Sequence, residues 1–366
     1  MSREGRGALA RPGPTGFTTR MSSSTATGTE FSGEIPAEVV ELDNLPPGIG
    51  PYALAWRRLR RNKLALAFGA LFVVIVVLCL LAPAYANDIA HTGPNDEHIT
   101  QVIKVGGKPT DVVSVIGIPI GPTWHSQFLL GADSNGRDVA VRALYGGRNS
   151  LEIGFIATII TMVLAILLGV AAGYFRGKTD GVITRVLDIM WAYPAVLLGV
   201  ALGATLAVGG IDLGLFTLHG NSLAVPAVVI GIVYVPYVAK PIRGQVLMLR
   251  EREFIDAARQ QGLSHRRIMT TEVLPNVVST IIVFFPLMLA NAILLEAALS
   301  YLGAGVQPPN PSWGTMISAG VKGIPAAFHL VLVPGIMLVL TVLSINIFGD
   351  GLRDALDPRA KVRISH

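Results

Sequence analysis

Residues Glu253–Pro275 read EFIDAARQQGLSHRRIMTTEVLP and lie between two apolar runs long enough to cross a membrane. The charges and interrupted backbone of this segment need water or protein around them, so it cannot lie in lipid. The spacing predicts one helix over Glu251–Gln261, ended by Gly262, and a second over His265–Val273 with Ser264 as its N-cap. Arg267 stands three residues after Ser264, so no capping box is expected. Pro275 is expected to begin the turn into the next apolar run. Ala257 and Ala258 add almost no side-chain bulk, so the first helix is expected to offer a low-relief surface that another protein approaches closely from the cytoplasmic side.

Six apolar runs extend outward from this segment: Leu64–Ala82, Ile153–Tyr174, Met190–Val208, Leu223–Ala239, Val277–Leu295 and Leu330–Phe348. Each has the length that crosses ~30 Å of hydrocarbon. None contains Asp, Glu, Lys or Arg. The chain of 366 residues is 51% hydrophobic and only 14% charged, whereas a soluble domain carries about a quarter charged residues. The expected fold class is therefore an all-α membrane protein with six transmembrane helices. Pro226 and Pro236 in the short fourth run predict a kink there.

The basic residues choose the sides. Nine precede the first run, three lie between the second and third, seven between the fourth and fifth, and four follow the sixth. The opposite side has none between the third and fourth runs and only Lys322 between the fifth and sixth. Five lie in the long first loop, where charge carries little weight. Both termini are thus expected to be cytoplasmic. Topology accounts for the net charge of +5, and nucleic-acid binding is set aside. Cys79 is the single cysteine, so no internal disulfide forms, and the seven histidines form no HExxH pair or metal-ligand cluster.

The expected organisation is a disordered cytoplasmic tail over 1–50, an interfacial helix and first transmembrane helix over 51–86, and an extracytoplasmic loop over 87–150. A five-helix core with the loop 250–275 then covers 151–348, and a cytoplasmic tail covers 349–366. Tyr52–Lys63 is a basic amphipathic segment, with Trp56 at headgroup level and arginines toward anionic lipid. Asp133–Gly136 is turn chemistry, and Arg137–Tyr145 reads as a short surface helix leading into the second run. The prolines of GVQPPNPSWG favour extended or turn structure, and Gly349 suits a helix end. No apolar signal-peptide core occurs before residue 64.

The opening segment resembles the EAA loop of ABC-importer permeases: EAA, three residues, Gly, nine residues, Ile, one residue, Leu-Pro. Here Asp256-Ala257-Ala258, Gly262, Leu274 and Pro275 fall at that spacing. Asp256 replaces the glutamate, and Glu272 stands at the isoleucine position. LGADSNGRDVAVRALYGGRNSL (130–151), EAALSYLGAGVQPPNPSWGTMI (Glu296–Ile317) and GDGLRDALDPR (Gly349–Arg359) resemble signatures of the C-type permease subunit of oligopeptide/dipeptide importers. The resemblance covers about 52–360. It implies a type I ABC-importer permease fold and makes Asp256, Ala257, Ala258, Gly262, Leu274 and Pro275 the ATPase-coupling residues. It also implies five partners: a second, B-type permease, two ABC ATPase subunits, an extracytoplasmic peptide-binding protein and the lipid bilayer of the cell membrane.

The chain contains no GxxxxGK[ST] phosphate loop. ATP and Mg are expected on the partner subunits, with no cofactor on this chain. Asn291, Glu296 and Tyr193, the last beside Asp188, are the candidate residues of the pore or peptide-substrate path. Asn291 faces a water-filled path or bonds a neighbouring helix, and Glu296 is read as a contact for a substrate amine. Few polar groups occur in the runs, so a permissive path is expected, with selection left mainly to the binding protein. A related importer of nickel or another small solute is the alternative within the superfamily. An ion-coupled secondary transporter would need charges within the spans, and a membrane enzyme would need a catalytic constellation.

Overall fold

The computed structural model of the protein describes residues 51–212 and 217–356. The expected tail over 1–50 and the end of the chain from 357 lie outside the described residues.

Helix α1 (Pro51–Arg61) is separated from α2 (Lys63–Leu80) by Asn62, whose side-chain oxygen accepts the Ala65 N–H at 3.0 Å. A short helical turn, α3 (Ala82–Ala84), and a π-helical turn over Tyr85–Ala90 follow. The chain then forms an antiparallel hairpin of β1 (Val102–Val105) and β2 (Lys108–Asp111). Val112, Val113, Phe128 and Ala132 form a small core beside it.

The main bundle starts at α4 (Val139–Phe175) and continues through α5 (Gly177–Ala192) and α6 (Ala195–Gly209). Two-residue strands β3 (Ile211–Asp212) and β4 (Thr217–Leu218) pair next. Helices α7 (Ala224–Val233), α8 (Val235–Arg250), α9 (Glu253–Gln260) and α10 (His265–Arg267) come after them. A π-helical turn over Ile268–Val273 runs into α11 (Leu274–Tyr301), followed by α12 (Trp313–Val321) and α13 (His329–Leu356).

Among the described residues, five helical segments are long and apolar enough to cross a membrane: Lys63–Leu80, Val139–Phe175, Ala224–Arg250, His265–Tyr301 and His329–Leu356. The third expected run, Met190–Val208, is not one helix. Tyr193, which precedes Pro194, takes an extended conformation (φ −93°, ψ 137°), as the proline ring requires. α5 and α6 meet there at 93°. Alone, the 15 residues of α6 reach only ~22 Å.

Three further expectations are corrected. No separate surface helix precedes the second run, because α4 starts at Val139 and continues for 37 residues, ~55 Å. Asp138 is its cap: one carboxylate oxygen accepts the N–H groups of Ala140 (2.8 Å) and Val141 (3.2 Å), and the other accepts that of Phe128 (2.7 Å). Burial holds this carboxyl above its ordinary pKa, against the three N–H donors that lower it. Second, Gly349 does not end a helix. α13 continues to Leu356, and Gly349 and Gly351 are buried where Pro286 and Ala65 approach too closely for a side chain. Third, Pro275 does not start a turn. The Leu274 N–H bonds the Met269 carbonyl five residues back, so the backbone enters α11 through a π turn one residue before the proline.

The fourth run is longer than expected and ends at Arg250. Pro236 stands at the start of α8, where its missing N–H costs little. α12 was not expected within GVQPPNPSWGTMI. A capping box of Ser312 and Thr315 starts it, and Trp313 is fully buried.

The helix ends sort into two poles. At one pole, α1 packs on the end of α13 through Ala55, Leu59 and Ala355, and Tyr174 meets His265. At the other, Val139, Met316 and Leu330 cluster, and the His329 ring bonds the Ala132 carbonyl at 3.1 Å. The bent pair links the poles: Arg176 reaches Glu251 at 2.6 Å, while Gly203 packs on the Ala304 backbone.

Candidate functional site

The site is the segment joining α8 to α11. Arg252 is extended and starts α9, which carries Glu253 and Asp256 in its first turn and Arg259 in its last. These charges suit the helix dipole. The helix ends as the sequence requires: Gly262 takes φ +76°. Its N–H bonds the Arg259 carbonyl (2.9 Å), and the Leu263 N–H bonds that of Ala258 (3.2 Å). This is a Schellman closure, in which only glycine adopts the left-handed residue without strain. Ser264 then caps α10, accepting the Arg267 N–H at 3.4 Å.

The two alanines differ in burial. Ala258 is 5% exposed and belongs, with Ile255, Ile268 and Val273, to an apolar cluster that also contains Tyr174, Ile242 and Val246. Ala257 is exposed. The low-relief surface is therefore Ala257 without Ala258, because one turn of helix carries adjacent residues about 100° apart. On that outer face Phe254, Ala257 and Gln261 follow at helical spacing, and Phe254 is 39% exposed. Burial of Ile255 anchors the helix by about 2 kcal/mol. Leu274 packs against the same cluster, while Pro275 is exposed at the start of α11.

Tyr174, near the end of α4, holds the segment before and after α9. Its carbonyl accepts from the Arg250 guanidinium at 2.5 Å, and its hydroxyl bonds His265 Nδ1 at 3.0 Å. Arg259 lies over its ring at 5.9 Å. Beside this contact, α5 is tied to α8 and its end by a ladder of ion pairs. These are Arg176–Glu251 (2.6 Å), Asp180–Arg243 (2.5 Å) and Asp188–Lys240 (2.7 Å). Trp191 stacks on Tyr237 at 4.3 Å, with Lys240 over the Trp191 ring. Asp188 is thus paired with Lys240. Sequence reasoning missed this polar stripe, although the four-residue spacing of Arg176, Asp180, Thr184 and Asp188 is the local signal that would have shown it. Nothing in the sequence pointed to Tyr174 or His265, whose contact spans 91 positions.

The three candidate path residues are not brought together. Tyr193 is 58% exposed at the α5–α6 break. Asn291 is half-buried, and its amide donates to the Leu287 carbonyl of its own helix at 2.8 Å. Glu296 is fully buried and cannot meet a substrate here. Ser300 donates to it at 2.6 Å and in turn accepts the Val306 N–H at 2.9 Å. Ser150 and Ser312 lie beside the same carboxyl group, and Ser150 also accepts the Trp313 N–H at 3.3 Å. Glu296 thereby joins α4, α11 and the start of α12.

Residues 165–362 match the family described as binding-protein-dependent transport system inner membrane component. Residues 50–100 match the N-terminal TM domain of oligopeptide transport permease C. The dipeptide transport system permease protein DppC of Alkalihalophilus pseudofirmus is 35% identical over 332 residues, which cover 89% of this chain and 97% of that protein. The di/tripeptide transport system permease protein DppC of Pseudomonas aeruginosa is 36% identical over 310 residues, covering 84% and 91%. The inward-facing MetNI methionine ABC transporter aligns over 59% of this chain and 96% of that chain, with 18% identity and a TM-score of 0.48. With matches along nearly its whole described length, the chain belongs to the inner-membrane permease family of ABC importers, as a C-type subunit of the oligopeptide/dipeptide branch, and is a multi-pass membrane transport subunit.

Proposed function

We propose that this chain forms, with a second permease, the path by which di- and oligopeptides enter the cell, and that separate ATPase subunits drive it through α9. The carrying observation is the split of that helix. Ile255 and Ala258 fasten it to the bundle, while Phe254, Ala257 and Gln261 face away from the apolar cluster. A helix so arranged transmits a push from a partner without detaching.

ATP with Mg, bound by the two partner ATPases, draws them together. α9 moves with them and carries α8 and α11, the helices joined to it on either side. The ion-pair ladder makes α5 follow α8. Ligand energy enters only as a difference in partner affinity between the two states of the path. An extracytoplasmic binding protein delivers the peptide to the pole that carries the β1–β2 hairpin and α12.

In this reading both termini are cytoplasmic and the chain crosses the membrane six times, the bent α5–α6 pair supplying one crossing. Packing of α1 against the end of α13 supports an even number. Asn291 and Tyr193 are retained as path residues. Glu296, fully buried among Ser150, Ser300 and Ser312, is read as structural. The test is purification of the tagged chain from membranes, followed by peptide uptake into vesicles. The expected result is co-purification of a second permease and P-loop ATPases, with uptake that stops without ATP. Uptake by the chain alone, driven by an ion gradient, would overturn it.

A further inference from the structure

Helix α1 has two unlike faces. Ala55 (7% exposed) and Leu59 (4%) point inward and cluster with Ala355, with Phe348, Leu352 and Leu356 packed around them. The opposite side carries Arg57, Arg60 and Arg61, all exposed, and Lys63 follows at the start of α2. Trp56 is 52% exposed, and the Arg60 guanidinium lies 5.2 Å from its ring centre. Pro51–Arg61 contains no acidic residue. Among the described residues, Arg57, Arg60, Arg61 and Lys63 form no ion pair with a carboxylate.

Chain connectivity fixes where this face lies. α2 begins two residues after α1, and Leu64 is already 62% exposed on a helix that buries little of itself. A membrane crossed by α2 must therefore have its surface at the level of Asn62 and Lys63. The docking on α13 holds α1 at that level, so its arginines cannot drift away from it. Guanidinium groups recognise phosphodiesters through paired N–H donors, and an aromatic ring beside them suits the boundary between headgroups and acyl chains.

The geometry points to a binding surface for anionic phospholipid headgroups on α1, formed by Arg57, Arg60, Arg61 and Lys63 with Trp56 at their edge. The surface is clamped to the end of α13, so lipid charge holds that helix end at the membrane surface. This goes beyond a count of positive charges that merely orients the first span. It is independent of the proposed coupling role of α9.

The test uses the full chain with its co-purifying subunits in nanodiscs. The probe is brominated phosphatidylglycerol, compared with brominated phosphatidylcholine. Trp56 emission is isolated as the difference between the parent and Trp56→Phe. Quenching by the anionic lipid at low fractions, weakened by salt, is expected. The triple variant R57Q/R60Q/R61Q should lose about 100-fold in apparent affinity for it, and R57K/R60K/R61K, which keeps the charge but not the paired donors, should lose less. All four side chains are exposed, so the variants fold. Equal quenching by both lipids, or an unchanged response in the glutamine variant, would overturn the proposal.

Discussion

Two adjacent alanines of α9 should give two different failures when replaced by arginine. Ala258 lies at 5% exposure in the cluster of Ile255, Ile268 and Val273. Arginine there must displace packed side chains, at about 1–3 kcal/mol, and bury or distort around an unpaired charge, at about 3–5 kcal/mol. The total is comparable with the whole stability of many domains, about 5–15 kcal/mol. Ala258→Arg should therefore reduce the folded chain recovered from membranes and lower its melting temperature. Ala258→Leu should cost only the packing part. Ala257 is exposed, so Ala257→Arg should shift stability by no more than about 0.5 kcal/mol, yet block a close-fitting partner. The assay is fluorescence-detected size exclusion of the detergent-extracted complex over a temperature ramp, followed by peptide uptake per ATP hydrolysed. If Ala258→Arg proves as abundant and stable as the parent, or Ala257→Arg couples normally, the inward–outward assignment of α9 is wrong.

Gly262→Ala meets no neighbouring atom but must adopt φ +76°. It should cost about 1 kcal/mol, visible as a melting temperature a few degrees lower, with Gly262→Asn milder. Glu296→Gln keeps the volume and most hydrogen bonds at the α4–α11–α12 junction and should leave peptide selectivity in competition uptake unchanged. Glu296→Ala should lower stability by about 2–4 kcal/mol through the cavity and the unpaired Ser300 hydroxyl. The Asp188–Lys240 pair is 57% and 31% exposed at its side chains, so a double-mutant cycle on stability should give about 0–1 kcal/mol. The larger effect of breaking that pair is expected in transport, through loss of the tie between α5 and α8.

The long apolar runs, Gly262 and Ser264 were legible because each acts locally. Hydrocarbon thickness sets the run length, a left-handed residue calls for glycine, and a hydroxyl caps a free N–H. The break at Pro194 is equally local but is masked by the unbroken apolar run around it. Burial direction was less accessible. Ala257 and Ala258 are identical in sequence, and only the packing of Ile255 decides which one faces outward. Glu296 looked like a path residue because it follows an apolar run, and the serines packed around it lie up to 146 positions away. Gly349 looked like a helix end because the Pro286 and Ala65 contacts that require glycines there come from other helices.

The central claim is that the outer face of α9 is held from the cytoplasm by a nucleotide-driven partner. The most direct measurement is cysteine cross-linking in the intact complex, with buried Cys79 replaced by serine. Ala257→Cys should cross-link to a co-purified ATPase subunit with a yield that changes with nucleotide, while Ala258→Cys should not react. Labelling of Ala257→Cys by an impermeant maleimide added outside intact cells, or a working complex in which it reaches no partner, would contradict the account.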